Sequence, residues 1–175
     1  MKEIATLGGG CFWCTETIFK RLKGVISVVS GYAGGSAEQN SPPSYEQVSS
    51  GTTGHAETIQ IEFDDSIISF EKILEVFYAT HDPTTLNRQG ADVGTQYRSV
   101  MFYHNDKQKE LAEKSKQPYF VTQILPFDKF YKAEEYHQNF YEKNKSSPYC
   151  QIVINPKIQK LIEKFGKDVK ENENN

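Results

Sequence analysis

The residues best suited to chemistry come early in the chain. Cys11 and Cys14 are separated by Phe12 and Trp13 and preceded by Gly8-Gly9-Gly10; a third cysteine, Cys150, stands near the far end. Leu7 and the glycines read as the end of a short strand. Phe12 to Lys23 reads as a helix with Ile18, Phe19 and Leu22 on one side. Cys11 therefore falls at or near a helix N-terminus, where unpaired backbone N–H groups carry partial positive charge. That field favours a thiolate, the nucleophilic form of cysteine. Glycines permit a sharp turn and leave the sulfur approachable, and Phe12 and Trp13 would give it an aromatic wall. A buried, inert cysteine in an apolar strand-to-helix corner fits the same stretch equally well.

Three cysteines are an odd number, and no apolar run is long enough for a signal peptide or a membrane span. A structural disulfide framework is therefore not expected, and the expected setting is soluble and cytoplasmic. A Cys-x-x-Cys pair in a reducing compartment does redox chemistry or binds metal. Metal needs four ligands, or three and a water. Cys150 and one of His55, His81, His104 or His137 would have to complete the set, and no second pair has ligand spacing. Redox chemistry is the favoured reading, with no metal and no cofactor. The net charge of −3 is spread without a basic cluster, so neither nucleic acid nor membrane is an expected partner.

The elements that must position these residues can be followed in order. A length of 175 residues suits one domain with a real core. Val25 to Tyr32 is a β-branched strand, Ser36 to Ser44 a polar loop, and Tyr45 to Val48 a short helical turn. Ile59, Ile61 and Phe63 alternate with Thr58, Gln60 and Glu62, the period of a half-buried strand. Phe70, Ile73, Leu74, Phe77 and Tyr78 make the clearest amphipathic helix, with Ser69 as N-cap. Thr80 to Gln96 lacks periodicity and reads as an ordered loop rich in internal hydrogen bonds. Tyr97 to Tyr103 is a strand, and Asp106 caps a polar helix. Val121 to Leu125 is a further strand. A helix is expected from Ala133 through Tyr141, then an apolar piece from Tyr149 to Ile154. The last helix carries Ile158, Leu161, Ile162 and Phe165. Interleaved strands and helices predict an α+β two-layer sandwich, a mixed sheet with helices packed against it. One domain is expected over residues 1–166, with residues 167–175 a disordered tail.

Several stretches together resemble one family. They are Gly10-Cys11-Phe12-Trp13, Gly31-Tyr32-Ala33-Gly34-Gly35, Tyr45-Glu46-Gln47-Val48 and Gly54-His55-Ala56-Glu57. His81-Asp82-Pro83-Thr84, Gly94-Thr95-Gln96-Tyr97-Arg98-Ser99 and Ala133-Glu134-Glu135-Tyr136-His137-Gln138 follow in order. This pattern is similar to peptide methionine sulfoxide reductases of the A type and runs from about Leu7 to about Pro156. The resemblance implies a ferredoxin-like fold and reduction of the S epimer of methionine sulfoxide, in proteins and as the free amino acid. It also implies thioredoxin as reductant. Cys11 resembles the family nucleophile, left as a sulfenic acid when methionine departs. Glu57 resembles the family acid; read as an ordinary charge, it would open the exposed face of its strand. Tyr45 and Tyr97 resemble the donors to the sulfoxide oxygen, Phe12 and Trp13 the wall for the substrate methyl, and Asp92 an acid that orients the site. Many members have Gly where this chain has Cys14, and some have Cys where it has Ser49. Recycling is thus left to Cys14 and Cys150. Proximity favours Cys14 as first resolver, with Cys150 receiving the disulfide and presenting it to thioredoxin.

The competing reading is a thioredoxin-like dithiol–disulfide oxidoreductase using Cys11 and Cys14. Trp13 between the cysteines, rather than before them, argues against it.

Overall fold

The structure, a computed structural model, describes residues 1–36 and 41–171. Six strands form the main sheet: β1 (Lys2–Gly9), β2 (Val25–Ala33), β3 (Ala56–Asp64), β6 (Ser99–Tyr103), β7 (Gln123–Pro126) and β8 (Phe130–Lys132). Their order is β7-β6-β1-β3-β2-β8, with β7 parallel to β6 and every other pairing antiparallel. A two-stranded hairpin of β4 (Arg88–Gln89) and β5 (Asp92–Val93) lies apart. The helices are α1 (Phe12–Lys20), α2 (Tyr45–Ser49), α3 (Phe70–Thr80), α4 (Asp106–Ser115), α5 (Phe140–Lys143) and α6 (Asn155–Phe165). The fold is a mixed sheet with helices, as the alternation of elements predicts.

Period-two alternation sorts the two faces of the sheet. Ala5 and Leu7 of β1, Ile59, Ile61 and Phe63 of β3 and Met101 of β6 meet Ile18 and Phe19 of α1, Ile73 and Phe77 of α3 and Leu161 of α6 in one buried core. Val100 and Phe102 point the other way, into a smaller cluster with Ala33 and Ala56 under Leu125, Phe127 and Phe130. Ser69 caps α3 by accepting from the Lys72 N–H at 3.2 Å, as expected. The cap of α4 is Asn105, which accepts from the Gln108 N–H, one residue ahead of the expected Asp106.

Two expectations are corrected and one stretch left without an assigned element is resolved. No continuous helix runs from residue 133 to 141: a 3₁₀ turn at Glu135–His137 is separated from α5 by Asn139 at φ +55°. A left-handed residue ends one helix before the next can start. The piece around Cys150 is a π-helical stretch, Cys150–Ile154, running directly into α6. Residues 167–171 are ordered rather than a disordered tail: Val169 is fully buried and bridges Leu22, and the Lys170 N–H donates to the Arg21 carbonyl at 2.8 Å. The charge-rich composition signalled disorder, but a single valine and two main-chain bonds dock the segment on α1. Residues 172–175, and residues 37–40 of the expected polar loop, lie outside the described residues.

Candidate active site

Antiparallel pairing gathers the site at one end of the sheet. Where β1 ends, its partners β3 and β6 begin; Gly9 pairs with Ser99, and Leu7 with Ile59. Cys11 just beyond β1, Glu57 near the start of β3 and Tyr97 just ahead of β6 therefore share that end. Gly10, at φ +92°, makes the turn into α1; a Cβ there would meet the Gln89 side chain at 2.5 Å. Glu57 has the same parity as Ile59 and Ile61, so it lies on the buried face, not the exposed one that its charge suggests. It is 2% exposed and accepts a hydrogen bond from the Phe12 N–H at 3.2 Å. Its carboxylate thus sits at the free donors of the α1 N-terminus. Burial dominates and pushes the Glu57 carboxyl up to about 8, against the Phe12 N–H and reinforced by Asp92 and Cys14.

Cys11 precedes the first residue of α1 and is partly exposed; Cys14 is buried on the same helical turn. The two thiols are close enough to act on each other's proton. Burial, the neighbouring Cys14 and the nearby Glu57 charge all push the Cys11 thiol up. Cys14 is held down to about 6, first by Cys11 and against its burial, then by the Lys157 ammonium and the Tyr149 hydroxyl. Within the pair Cys11 is thus the sulfur pushed up and Cys14 the one held down. A field at a helix end is weaker here than desolvation plus a neighbouring acceptor. The Tyr149 hydroxyl lies 3.5 Å from the Cys14 sulfur. A cavity of about 160 Å³ opens beside the pair, lined by Cys11, Cys14, Asp92, Tyr149 and Lys157. A larger hollow of about 430 Å³ near Lys23, Asp65 and Asp168 has no cysteine in its lining. Cys150 is fully buried in one apolar cluster with Cys14 and Ile154, against which Cys11 and Trp13 pack. All three cysteines are free thiols.

The aromatic wall has a built backing. Trp13 stacks on Phe140 with centroids 3.6 Å apart and planes within 5°, and its indole N–H donates to His137 Nδ1 at 3.0 Å. That bond leaves the proton of a neutral His137 on Nε2. His137 in turn packs against Phe12 and, at 4.5 Å between centroids, against Tyr45. Tyr45 is the first residue of α2, whose start is a capping box: Ser44 accepts from the Gln47 N–H and donates its own N–H to the Gln47 side chain. The Tyr45 N–H donates to Glu134 Oε2 at 3.0 Å while the Tyr32 hydroxyl donates to Oε1 at 2.9 Å. Tyr97 lies in a 3₁₀ turn, Thr95–Tyr97. Burial, then the charge of Glu57, raises its hydroxyl pKa, so Tyr97 stays a donor. Asp92, half-buried, is raised by burial and lowered by Lys157. The loop that carries it is ordered by its own polar groups: the Gln89 side chain accepts from the Asp82 N–H and donates to the Asp82 carbonyl.

The structure thus brings Cys11, Phe12, Trp13, Cys14, Tyr45, Glu57, Asp92, Tyr97 and Cys150 into one region. A family model described as peptide methionine sulfoxide reductase matches residues 3–170. The chain belongs to that family. The reductase is 55% identical over 175 residues to the peptide methionine sulfoxide reductase MsrA of Saccharolobus solfataricus, which covers 96% of this chain and 97% of the relative. Its fold is similar to that of Mxr1 from Saccharomyces cerevisiae in reduced form, with a TM-score of 0.77 and 37% identity over 85% of this chain and 89% of that one. A structure of the same Mxr1 in complex with Trx2 matches at TM-score 0.53 and 27% identity, over 79% of this chain and 84% of that one. This membership sets aside the reading as a thioredoxin-like oxidoreductase.

Some residues of the reductase site carry no sequence signal of a role. His137 and Glu134 lie in a recognised stretch, but only their contacts with Trp13 and Tyr45 reveal what they hold. Tyr149 and Lys157 had no signal beyond nearness to Cys150. Glu16 sits in the second turn of α1, and its buried carboxylate ties Lys20 at 2.9 Å and the Asn139 N–H at 3.0 Å.

Proposed function

We propose that this reductase converts the S epimer of methionine sulfoxide, in proteins and as the free amino acid, to methionine, and that Cys11 takes the oxygen. The observation that carries the reading is the pairing of a cysteine at a helix start with a buried carboxyl that stays protonated at neutral pH. The Cys11 proton passes to the neighbouring Cys14, and the Cys11 sulfur attacks the sulfoxide sulfur. Glu57 gives its proton to the oxygen, which Tyr45 and Tyr97 hold. The oxygen ends on Cys11 as a sulfenic acid: the substrate sulfur gains the two electrons that Cys11 loses, and methionine leaves.

Phe12 and Trp13 receive the methyl group, opposite the oxygen donors, with Asp92 orienting the substrate main chain. Methyl and oxygen exchange places in the other epimer, which would set oxygen on the wall and methyl among the donors. Cys14 then attacks the Cys11 sulfenic acid, and Cys150, in the same apolar cluster, receives the disulfide. Thioredoxin as final reductant is supported by the Mxr1 structure with Trx2. The order β6-β1-β3-β2, with α1 and α3 as its crossovers, supports reading the central strands as a ferredoxin-like unit extended by β7 and β8. One catalytic domain, working free of nucleic acid and membrane in the reducing cytoplasm, completes the reading; among the described residues no helix is long and apolar enough to cross a membrane.

The test is turnover of the two stereopure epimers of methionine sulfoxide with dithiothreitol as reductant. The S epimer should be consumed and the R epimer left; equal rates for the two would remove the wall-and-donor account.

A further inference from the structure

Lys157 is the cation of this site that the reaction so far leaves without a task. It stands in the first turn of α6, half-buried, while Ile158 and Leu161 of the same helix pack into the interior. No hydrogen bond or ion pair engages its ammonium among the described residues. A half-buried ammonium without a partner is costly, and a lysine this close to a surface could point outward instead. Here it lines the cavity shared with Cys11, Cys14, Asp92 and Tyr149. Asp92 does not consume its charge, since burial moves that carboxyl more than the lysine does.

The groups that face Cys14 come from every element around it. They are Cys11 ahead of α1, Glu57 on β3, Asp92 on β5, Tyr149 and Cys150 at the π-helical stretch, and Lys157 on α6. His81, at the end of α3, lies within the field of Lys157. Of these, Lys157 is the permanent cation.

We propose that Lys157 is a positioning residue of the recycling step: its ammonium, on the cavity it shares with Cys14, favours the thiolate that attacks the Cys11 sulfenic acid. The step rests on Cys14 as first resolver. Cys14 gives up the proton it took from Cys11, its sulfur forms a bond to the Cys11 sulfur, the Cys11 S–O bond breaks, and the hydroxide takes a proton and leaves as water. No outside oxidant or reductant enters, because the sulfenic acid is itself the oxidant. Lys157 takes no part in the bond changes, and thioredoxin restores the thiols.

Lys157→Met keeps the length of the stem and removes the charge; Lys157→Arg restores a charge. Reduced wild type and variants are alkylated with iodoacetamide across pH, and Cys14 modification is followed by peptide mass mapping. A second measurement follows methionine release and Cys11–Cys14 bond formation in one turnover without reductant. Lys157→Met should move the Cys14 alkylation profile up by about one pH unit, the size of a near charge removed. It should slow disulfide formation about twofold at pH 7 and close to tenfold near pH 5, the thiolate fraction lost in that shift, with recovery as pH rises. Lys157→Arg should restore the profile. An unshifted profile overturns the lysine assignment alone, and so does a raised KM for free methionine sulfoxide with that profile unshifted, which would make Lys157 a substrate contact. Equal slowing of methionine release and disulfide formation also overturns it. If Cys14→Ser forms a Cys11–Cys150 bond at the wild-type rate, Cys14 is not the resolver, and the recycling role of Lys157 falls with it.

Discussion

Glu57 shows how one position decides the chemistry. A carboxyl on the buried face, with one backbone donor and no cation bonded to it, keeps its proton up to about pH 8. It can act as an acid below that value and loses that ability above it. The single-turnover rate of methionine formation should fall as pH rises through about 8. Glu57→Gln should be slower by roughly 10²–10⁴ and lack that fall, measured by rapid quench across pH. The same shift has a stability consequence. The folded state keeps a proton that the unfolded state has lost between the ordinary carboxylate value and about pH 8, so stability declines with rising pH across that window. Urea melts of Glu57→Gln should lack this decline. The parity of Glu57 with Ile59 and Ile61 was legible in the sequence. Its charge argued for the opposite face, and only the resemblance outweighed the charge. The bias between the cysteines was not legible: burial and the neighbouring sulfur push Cys11 up while the same neighbour holds Cys14 down, which the helix start alone does not foretell.

At the scale of elements, short structures with strong local chemistry hold the aromatic donors. Helix α2 has only one turn, and its capping box and the bond from the Tyr45 N–H to Glu134 keep it in place. Ser44→Ala removes one half of the box and should cost about 1 kcal/mol of stability in urea melts. It should also lower the reductive rate several-fold while leaving the epimer preference intact, since the aromatic wall is held separately through Trp13, Phe140 and His137. Ser44 followed three residues on by Gln47 is a signal that sequence carries. So are the Ser69 cap and the alternation in β3. The break at Asn139 and the π-helical stretch have no such signal. Asn139 takes a left-handed conformation because Glu16 and Lys20 of α1 hold its main chain and side chain. That contact spans more than a hundred residues. The π-helical register likewise follows from seating Cys150 and Ile154 against Cys14, which no local pattern specifies.

At the scale of the whole molecule, the sheet order turns scattered motifs into a site. Residues 11, 57 and 97 lie far apart in the chain, yet antiparallel pairing of β1 with β3 and β6 puts them at the same strand ends. The alternation of elements predicted a mixed sheet with helices; strand order and register depended on long-range pairing. The C-terminal part closes the back of this arrangement: α6 packs on the core, residues 167–171 dock on α1, and Cys150 is brought under Cys14. The site therefore needs both ends of the chain, and its central claim is that the oxygen passes to Cys11. The most direct measurement is one turnover of the Cys14→Ser, Cys150→Ser double variant with excess S-epimer methionine sulfoxide and dimedone. Methionine and the labelled cysteine are then quantified by mass mapping. The account predicts one methionine per chain with a dimedone adduct on Cys11, and no methionine when Cys11→Ser is added. Methionine formed in full yield without Cys11 would contradict it.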